Sequence, residues 1–298
     1  MTSLGNNIKV HFAGSDGEEI FFAALEAAKT RYRLYSCYKY IVKKNPGDDF
    51  TLPQDHVLKQ QLISNRHVIQ DSGLFTLMFG AMKGQKQTVE TLTAWQDKLM
   101  QFVMQNGLQS TCVEIDCQKV LGVKEAWYFR ERMRKMLPNK QINVFHYEDG
   151  KRGLDSLIDF SDYIAISVPE LRIVKPQTFR KDTHALACYI KDRKPEIDIH
   201  LLGCTDFKML EQNRFCTSAD STSWLQGVKY GYIDDGTRKD HIRNFKKELF
   251  EQRRKLVLKN LQGRGVALKE KTLEYTTNAS ICATICKNKY TRLAGSQK

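Results

Sequence analysis

Short runs rich in β-branched and aromatic residues alternate along this chain with longer helical stretches, and this alternation limits the fold more than any other feature. Strand-like runs fall at residues 8–14, 31–38, 67–70, 111–115, 142–146, 163–167, 198–203 and 214–219. A helical pattern occupies every gap between them, at 18–29, 55–64, 85–105, 119–135, 153–160, 181–193 and 207–212. Strands separated by helices indicate βαβ units rather than a sandwich, and a chain of this length with such units has one common closed solution, the (β/α)8 barrel. The expected class is α/β, a (β/α)8 TIM barrel over residues 1–235 with a basic C-terminal helical extension over 236–298.

The chain has 298 residues, 41% of them hydrophobic, enough for one large core without a second domain. Lysine and arginine total 47 against 34 aspartates and glutamates, a formal charge of +13 that favours a polyanionic partner such as nucleic acid. No apolar run approaches the roughly 20 residues that span a bilayer. The start Met-Thr-Ser-Leu-Gly-Asn-Asn lacks a signal pattern, so the expectation is a cytoplasmic chain with no membrane partner. Eight cysteines, at 37, 112, 117, 188, 204, 216, 282 and 286, are scattered, several of them in apolar runs. They do not read as a disulfide framework. The closest thiol and imidazole spacings, Cys282-x3-Cys286 and His184-x3-Cys188, suit a zinc tetrahedron poorly, so neither a structural zinc nor any other cofactor is expected.

Residues 238–259 read as a long helix with Arg243, Lys246, Lys247, Arg253 and Arg254 among its cations. Its apolar stripe, Ile242, Phe245, Leu249, Phe250, Leu256 and Leu258, is suited to packing on a barrel. The basic face then either meets phosphates or is simply a solvated charged surface. Lys83, Lys86, Arg172, Lys175 and Arg180 are further phosphate candidates by charge alone. The tail from Gly263 onward is poorly patterned and is expected to fray.

Three segments carry an aspartate where a strand-like run gives way to a loop: His67-Val-Ile-Gln-Asp71-Ser-Gly, Cys112-Val-Glu-Ile-Asp116-Cys and Arg214-Phe-Cys-Thr-Ser-Ala-Asp220-Ser-Thr-Ser-Trp224. The carboxyl ends of parallel barrel strands carry the chemistry of this fold, so the three acids are expected to converge on one pocket. Each has a structural competitor: Asp71 as a turn residue before Ser72-Gly73, Asp116 as a cap for the next helix, Asp220 as a turn cap. Cys117 lacks a dedicated histidine partner for thiolate chemistry. Trp224 reads as a packing residue before a stacking platform.

Asp71-Ser-Gly-Leu-Phe resembles the Asp-Ser-Gly-Gly-Phe motif of the tRNA-guanine transglycosylases, the queuine tRNA-ribosyltransferase-like superfamily of (β/α)8 enzymes that exchange a guanine for a 7-deazaguanine without cutting the backbone. Val113-Glu-Ile-Asp116, Asn143-Val-Phe-His146-Tyr, Tyr163-Ile-Ala-Ile-Ser167-Val and Leu201-Leu-Gly203-Cys-Thr205 follow in that family's order, and Asp220-Ser-Thr-Ser-Trp224 falls at its nucleophile position. The phrases Asp-Ser-Gly, Val-Phe-His-Tyr and Asp-Ser-Thr-Ser-Trp look closest to the short phage-type branch that includes DNA-guanine transglycosylases, over roughly residues 8–230. Leu74 and Thr76 replace the glycine and glutamine of the tRNA enzymes, the Pro-Thr-Arg sequence after the nucleophile is missing, and so is their cysteine-rich zinc subdomain.

The resemblance implies a base exchange on DNA, with tRNA as the alternative substrate and a free 7-deazaguanine as the incoming base, in the host cytoplasm if the chain is phage-encoded. It implies Asp220 as nucleophile, Asp71 as acid and base, and a base-binding set of Asp116, Ser72, His146, Ser167 and Gly203. A homodimer is compatible with this. Carboxylates suit the chemistry: one traps the oxocarbenium-like C1′ centre covalently, one protonates the departing base, and one accepts the N1–H and N2–H donors that adenine does not offer. Two other readings stay open. One is a catalytically silent barrel that only binds nucleic acid. The other is a barrel enzyme for a small phosphorylated substrate, although no glycine-rich phosphate loop follows the seventh or eighth strand.

Overall fold

The computed structural model describes residues 8–15, 18–64, 68–77, 86–107, 110–204 and 206–295. Lys83, His67 and Thr205 of the sequence reading lie outside the described residues. Strands β1 Lys9–Phe12, β2 Arg33–Ser36, β3 Val68–Asp71, β4 Thr111–Val113, β5 Gln141–Phe145, β6 Tyr163–Ser167, β7 Asp198–Leu202 and β8 Ser218–Ser221 form a closed parallel barrel, as the alternation predicted. Between them run α1 Glu19–Ala27, α2 Tyr38–Ile41, α3 Val57–Ser64, α4 Leu74–Thr76, α5 Val89–Asn106, α6 Gln118–Leu121, α7 Val123–Met136, α8 Gly150–Phe160, α9 Val168–Val174, α10 Phe179–Arg193 and α11 Phe207–Gln212. After β8 come α12 Ser223–Tyr230, the antiparallel pair β9 Tyr232–Asp234 and β10 Lys239–His241, and the long helices α13 Ile242–Gln262 and α14 Glu270–Gly295.

The chain divides into two compact units, Leu34–Leu202 and a discontinuous one made of Met1–Arg33 and Gly203–Lys298. The central unit carries a core of Tyr35, Ile41, Phe50, Leu58, Leu62, Leu92, Trp95, Leu99, Phe102, Phe129 and Met133. Strand β6 is buried along its first four residues, the near-continuous apolar run of a strand covered on both faces. Helix α5 starts at a reciprocal Thr88/Thr91 capping box, which satisfies two of its otherwise unpaired N–H groups.

In the discontinuous unit, α1 packs on α13 and α14 through Ala23, Ala27, Val257, Leu261 and Leu273. Alanines on α1 let these helices approach closely. The structure corrects the expectation of a fraying tail: α14 runs for 26 residues and buries Ala279, Ile281, Cys282, Ala283, Ile285, Cys286 and Leu293. Thr276, Thr277, Thr284 and Thr291 each donate a hydroxyl to the carbonyl four residues back, so a helix of weak intrinsic propensity hides its polar groups in its own backbone.

Two further boundaries moved. The single helix expected over 119–135 breaks at Gly122, whose φ of +108° suits glycine best. The eighth strand begins at Ser218 rather than Arg214, because Asn213 to Cys216 form a turn closed by the Cys216 N–H on the Asn213 carbonyl at 2.9 Å.

Candidate active site

In the central unit Asp71 is the last residue of β3, and its neighbour β4 pairs in parallel with Gln70 opposite Cys112. The Gly73 N–H donates to Asp71 Oδ2 at 3.0 Å, and the Cys37 N–H donates to the Asp71 carbonyl at 3.0 Å. Gly73 has φ +73°, and a Cβ there would lie 2.8 Å from the Tyr38 backbone nitrogen. Asp-Ser-Gly is therefore a turn that only glycine completes, and Asp71 does have the structural role weighed against it. Ser72 is buried, and its carbonyl accepts from Trp95 Nε1 at 3.1 Å.

Asp116 lies just past β4 and does not cap the helix after it: Cys117 is the residue preceding α6, without a side-chain cap. Asp116 Oδ1 instead lies 2.7 Å from Nε2 of His146, and His146 Nδ1 lies 3.0 Å from Oε2 of Glu170. His146 follows β5 directly and is 3% exposed. Burial alone would discharge the imidazole, but hydrogen bonds to Asp116 and Glu170 and their negative charges overcome it and raise its pKa to about 10. The ring is thus an imidazolium donating from both nitrogens.

Glu170 is delivered by the start of α9, where Ser167 Oγ accepts the Glu170 N–H at 3.3 Å and a proline occupies the first turn. Burial opposes its charge, yet His146 and Lys119 hold its carboxyl below the usual range. Lys119 Nζ lies 3.2 Å from Glu170 Oε1 and 2.6 Å from Glu148 Oε2. Ser167 therefore shapes this array through the Glu170 backbone.

Two residues before Asp116, Glu114 is fully enclosed. Arg130 Nε and Nη2 donate to it at 2.8–3.0 Å, Asn143 Nδ2 at 2.7 Å and the Val144 N–H at 2.9 Å. This ties β4, β5 and α7 together behind Asp116. Cys117, also buried, has its thiol pushed up to about 12 by burial first and then by Glu114 and Asp116, which removes it as a thiolate nucleophile.

In the discontinuous unit Asp220 is the third residue of β8, within the strand rather than beyond it, and is 8% exposed. Its Oδ1 accepts the Gly203 N–H at 2.6 Å, and Gly203 holds φ +61° where β7 has ended. The Tyr290 hydroxyl of α14 lies 3.1 Å from Ser223 Oγ and 3.4 Å from Ser221 Oγ, and Ser221 Oγ is 2.7 Å from Ser223 Oγ. This cluster fixes the backbone that follows Asp220. Trp224 is 1% exposed and donates Nε1 to the Ala13 carbonyl at 2.8 Å, so it packs rather than stacks on a ligand.

Of the basic-helix residues, Lys246 pairs with Glu274 at 3.0 Å, Arg254 makes a forked pair with Glu270 at 2.6 and 2.9 Å, and Arg253 donates to the Ala27 carbonyl at 2.6 Å. These three tie α13 to α14 and α1. Arg243 and Lys247 are exposed. Cys282 and Cys286 are buried in α14, and burial pushes both thiols upward, Cys286 to about 12.

Glu170, Arg130 and Tyr290 were not singled out from sequence. Glu170 had a signal, the Ser167-Val-Pro-Glu170 pattern of a capped helix start. The other two depend on tertiary packing. A cavity of about 360 Å³ in the central unit is walled by Phe145, Tyr147, Lys151, Leu154 and Tyr189, and neither Asp71 nor Asp116 lines it. No protein-family profile matches the chain, and no curated protein matches it.

Proposed function

We propose that this protein is a base-exchange transglycosylase that replaces guanine in DNA with a 7-deazaguanine, through a covalent glycosyl intermediate on Asp220. The observation that carries the proposal is the Asp116–His146–Glu170 chain, with contacts of 2.7 and 3.0 Å. A carboxylate hydrogen-bonded to a buried imidazolium is held in one orientation, as accepting two adjacent N–H donors from a guanine edge requires. The aspartates of β3 and β8 supply the remaining roles, consistent with the carboxyl-end chemistry of parallel barrels.

In the proposed reaction an Asp220 oxygen bonds to C1′ as the C1′–N9 bond breaks, and protonated Asp71 gives its proton to the departing guanine. The incoming base then attacks C1′ through N9, returns its N9 proton to Asp71 and releases the Asp220 carboxylate. The sequence is redox-neutral and needs no cofactor.

The test is incorporation of labelled guanine and 7-cyano-7-deazaguanine into guanine-containing DNA and tRNA in parallel. Incorporation into DNA is expected, abolished in Asp220→Ala and reduced about 10²–10⁴-fold in Asp71→Asn. Incorporation into tRNA alone would reassign the substrate. Absence of exchange into either, with nucleic-acid binding intact, would favour a catalytically silent binding subunit.

A further inference from the structure

Helix α9 ends in an exposed apolar tip on a basic segment. Ile173 is 80% exposed and Val174 46%. These are large aliphatic side chains, and leaving them in water has a cost that packing elsewhere in the chain avoids. The same stretch of chain carries Arg172, Lys175, Arg180 and Lys181, of which Arg172, Arg180 and Lys181 are exposed. Two guanidinium groups approach the Phe179 ring, Arg172 Cζ at 5.2 Å and Arg180 Cζ at 5.1 Å from its centre. Lys175 Nζ lies 5.2 Å from the Tyr147 ring centre.

Two acids of this stretch have partners. Asp182 accepts the Thr178 hydroxyl at 2.6 Å, and Glu170 holds His146. The segment is also ordered by its backbone, since the Lys175 carbonyl accepts N–H groups from both Thr178 and Phe179. Position matters as well: Ile173 and Val174 come three and four residues after Glu170, one turn along the same side of α9.

We propose that Ile173 and Val174 are a wedge that enters the base stack of a nucleic-acid strand whose phosphates are held by Arg172, Arg180 and Lys181. The apolar tip matches base faces and the surrounding cations match phosphates, a combination that unstacks a base step and lets one base leave the stack. The wedge rests on the transglycosylase reading for its purpose, because a base inside a duplex is out of reach of an active site. It does not rest on that reading for its test.

The experiment titrates the full-length protein into duplex DNA carrying 2-aminopurine beside a guanine. It records 2-aminopurine emission, which rises on unstacking, together with affinity at several salt concentrations. Wild type is expected to raise the emission. Ile173→Ser/Val174→Ser is expected to reduce that rise about fivefold or more, because the inserted side chains are lost, while affinity changes much less. Arg172→Ala and Arg180→Ala are each expected to lower the salt slope of log affinity by about one.

An unchanged emission rise in the double serine variant overturns the wedge, as does a failure of wild type to bind DNA. Binding to anionic phosphatidylserine vesicles through Ile173 in place of DNA also overturns it, marking the tip as a lipid contact. Emission that depends on Ile173, with no base exchange under any condition, would uphold the wedge while the transglycosylase proposal falls.

Discussion

At the residue scale, His146 is a buried imidazole held between two carboxylates. Its pKa is raised to about 10 from 6.5, so its contribution to stability is fully present below about pH 6.5 and is lost as pH rises through about 10. Asp116 and Glu170 face it directly, and Lys119 and Glu148 lie one contact further out. Chemical denaturation between pH 6.5 and 10 should therefore show wild type losing more stability than His146→Gln. Parallel curves would remove the buried imidazolium. Gly73→Ala should cost roughly 1–3 kcal/mol for the left-handed backbone alone, with the approach to Tyr38 adding to it, measured by urea unfolding. The aspartates stand out in the sequence because each interrupts an apolar run, whereas Glu170, the second partner of His146, does not. Glu170 lies 24 positions from His146 and meets it only because β5 and β6 are neighbours.

At the element scale, the buried Glu114–Arg130 pair joins strand β4 to helix α7, and both side chains are 2% exposed. Removing one partner strands a charge in the interior, so Arg130→Met should destabilise by about 3–5 kcal/mol, read from the urea midpoint at unchanged slope. Glu114→Gln/Arg130→Met should recover part of that loss, since the remaining polar group is neutral. Strand and helix order was readable from periodicity, and β6 and α11 fall where their patterns placed them. Helix α14 was missed for a reason of composition. Its Thr, Ser, Asn and Cys content reads as loop in isolation, and burial against α1, α12 and α13 overrides that preference. The eighth strand was placed too early because Phe215-Cys-Thr is strand-like in type yet is used in a turn.

At the scale of the whole molecule, the C-terminal helices are core rather than appendage. Truncation after Gln262 removes the buried face of α14 and the Tyr290 contacts to Ser221 and Ser223. The truncated chain should lose its cooperative thermal transition, because Leu273, Ile281, Ile285 and Leu293, at about 1.5–3 kcal/mol each, together match the 5–15 kcal/mol by which domains are stable. A sharp melt near the wild-type temperature would show α14 to be dispensable. Closed topology and basic charge were both legible from the chain, but the division into units was not. The sequence divides the chain by element, a barrel over 1–235 and an extension over 236–298, whereas the compact units divide it by packing and group the first 33 residues with everything after Leu202.

That grouping gives the protein a timetable. His11 meets the carbonyl of Ala219 across 208 positions, and Trp224 reaches Ala13 across 211. During synthesis the segment Leu34–Leu202 emerges as a continuous stretch with its own core, while β1 waits, its edge unpaired on the β8 side, until the ribosome has delivered β8. The interval in which a chaperone is most useful is therefore set by the translation time of roughly 200 residues, on the order of 10–40 s at bacterial to eukaryotic elongation rates.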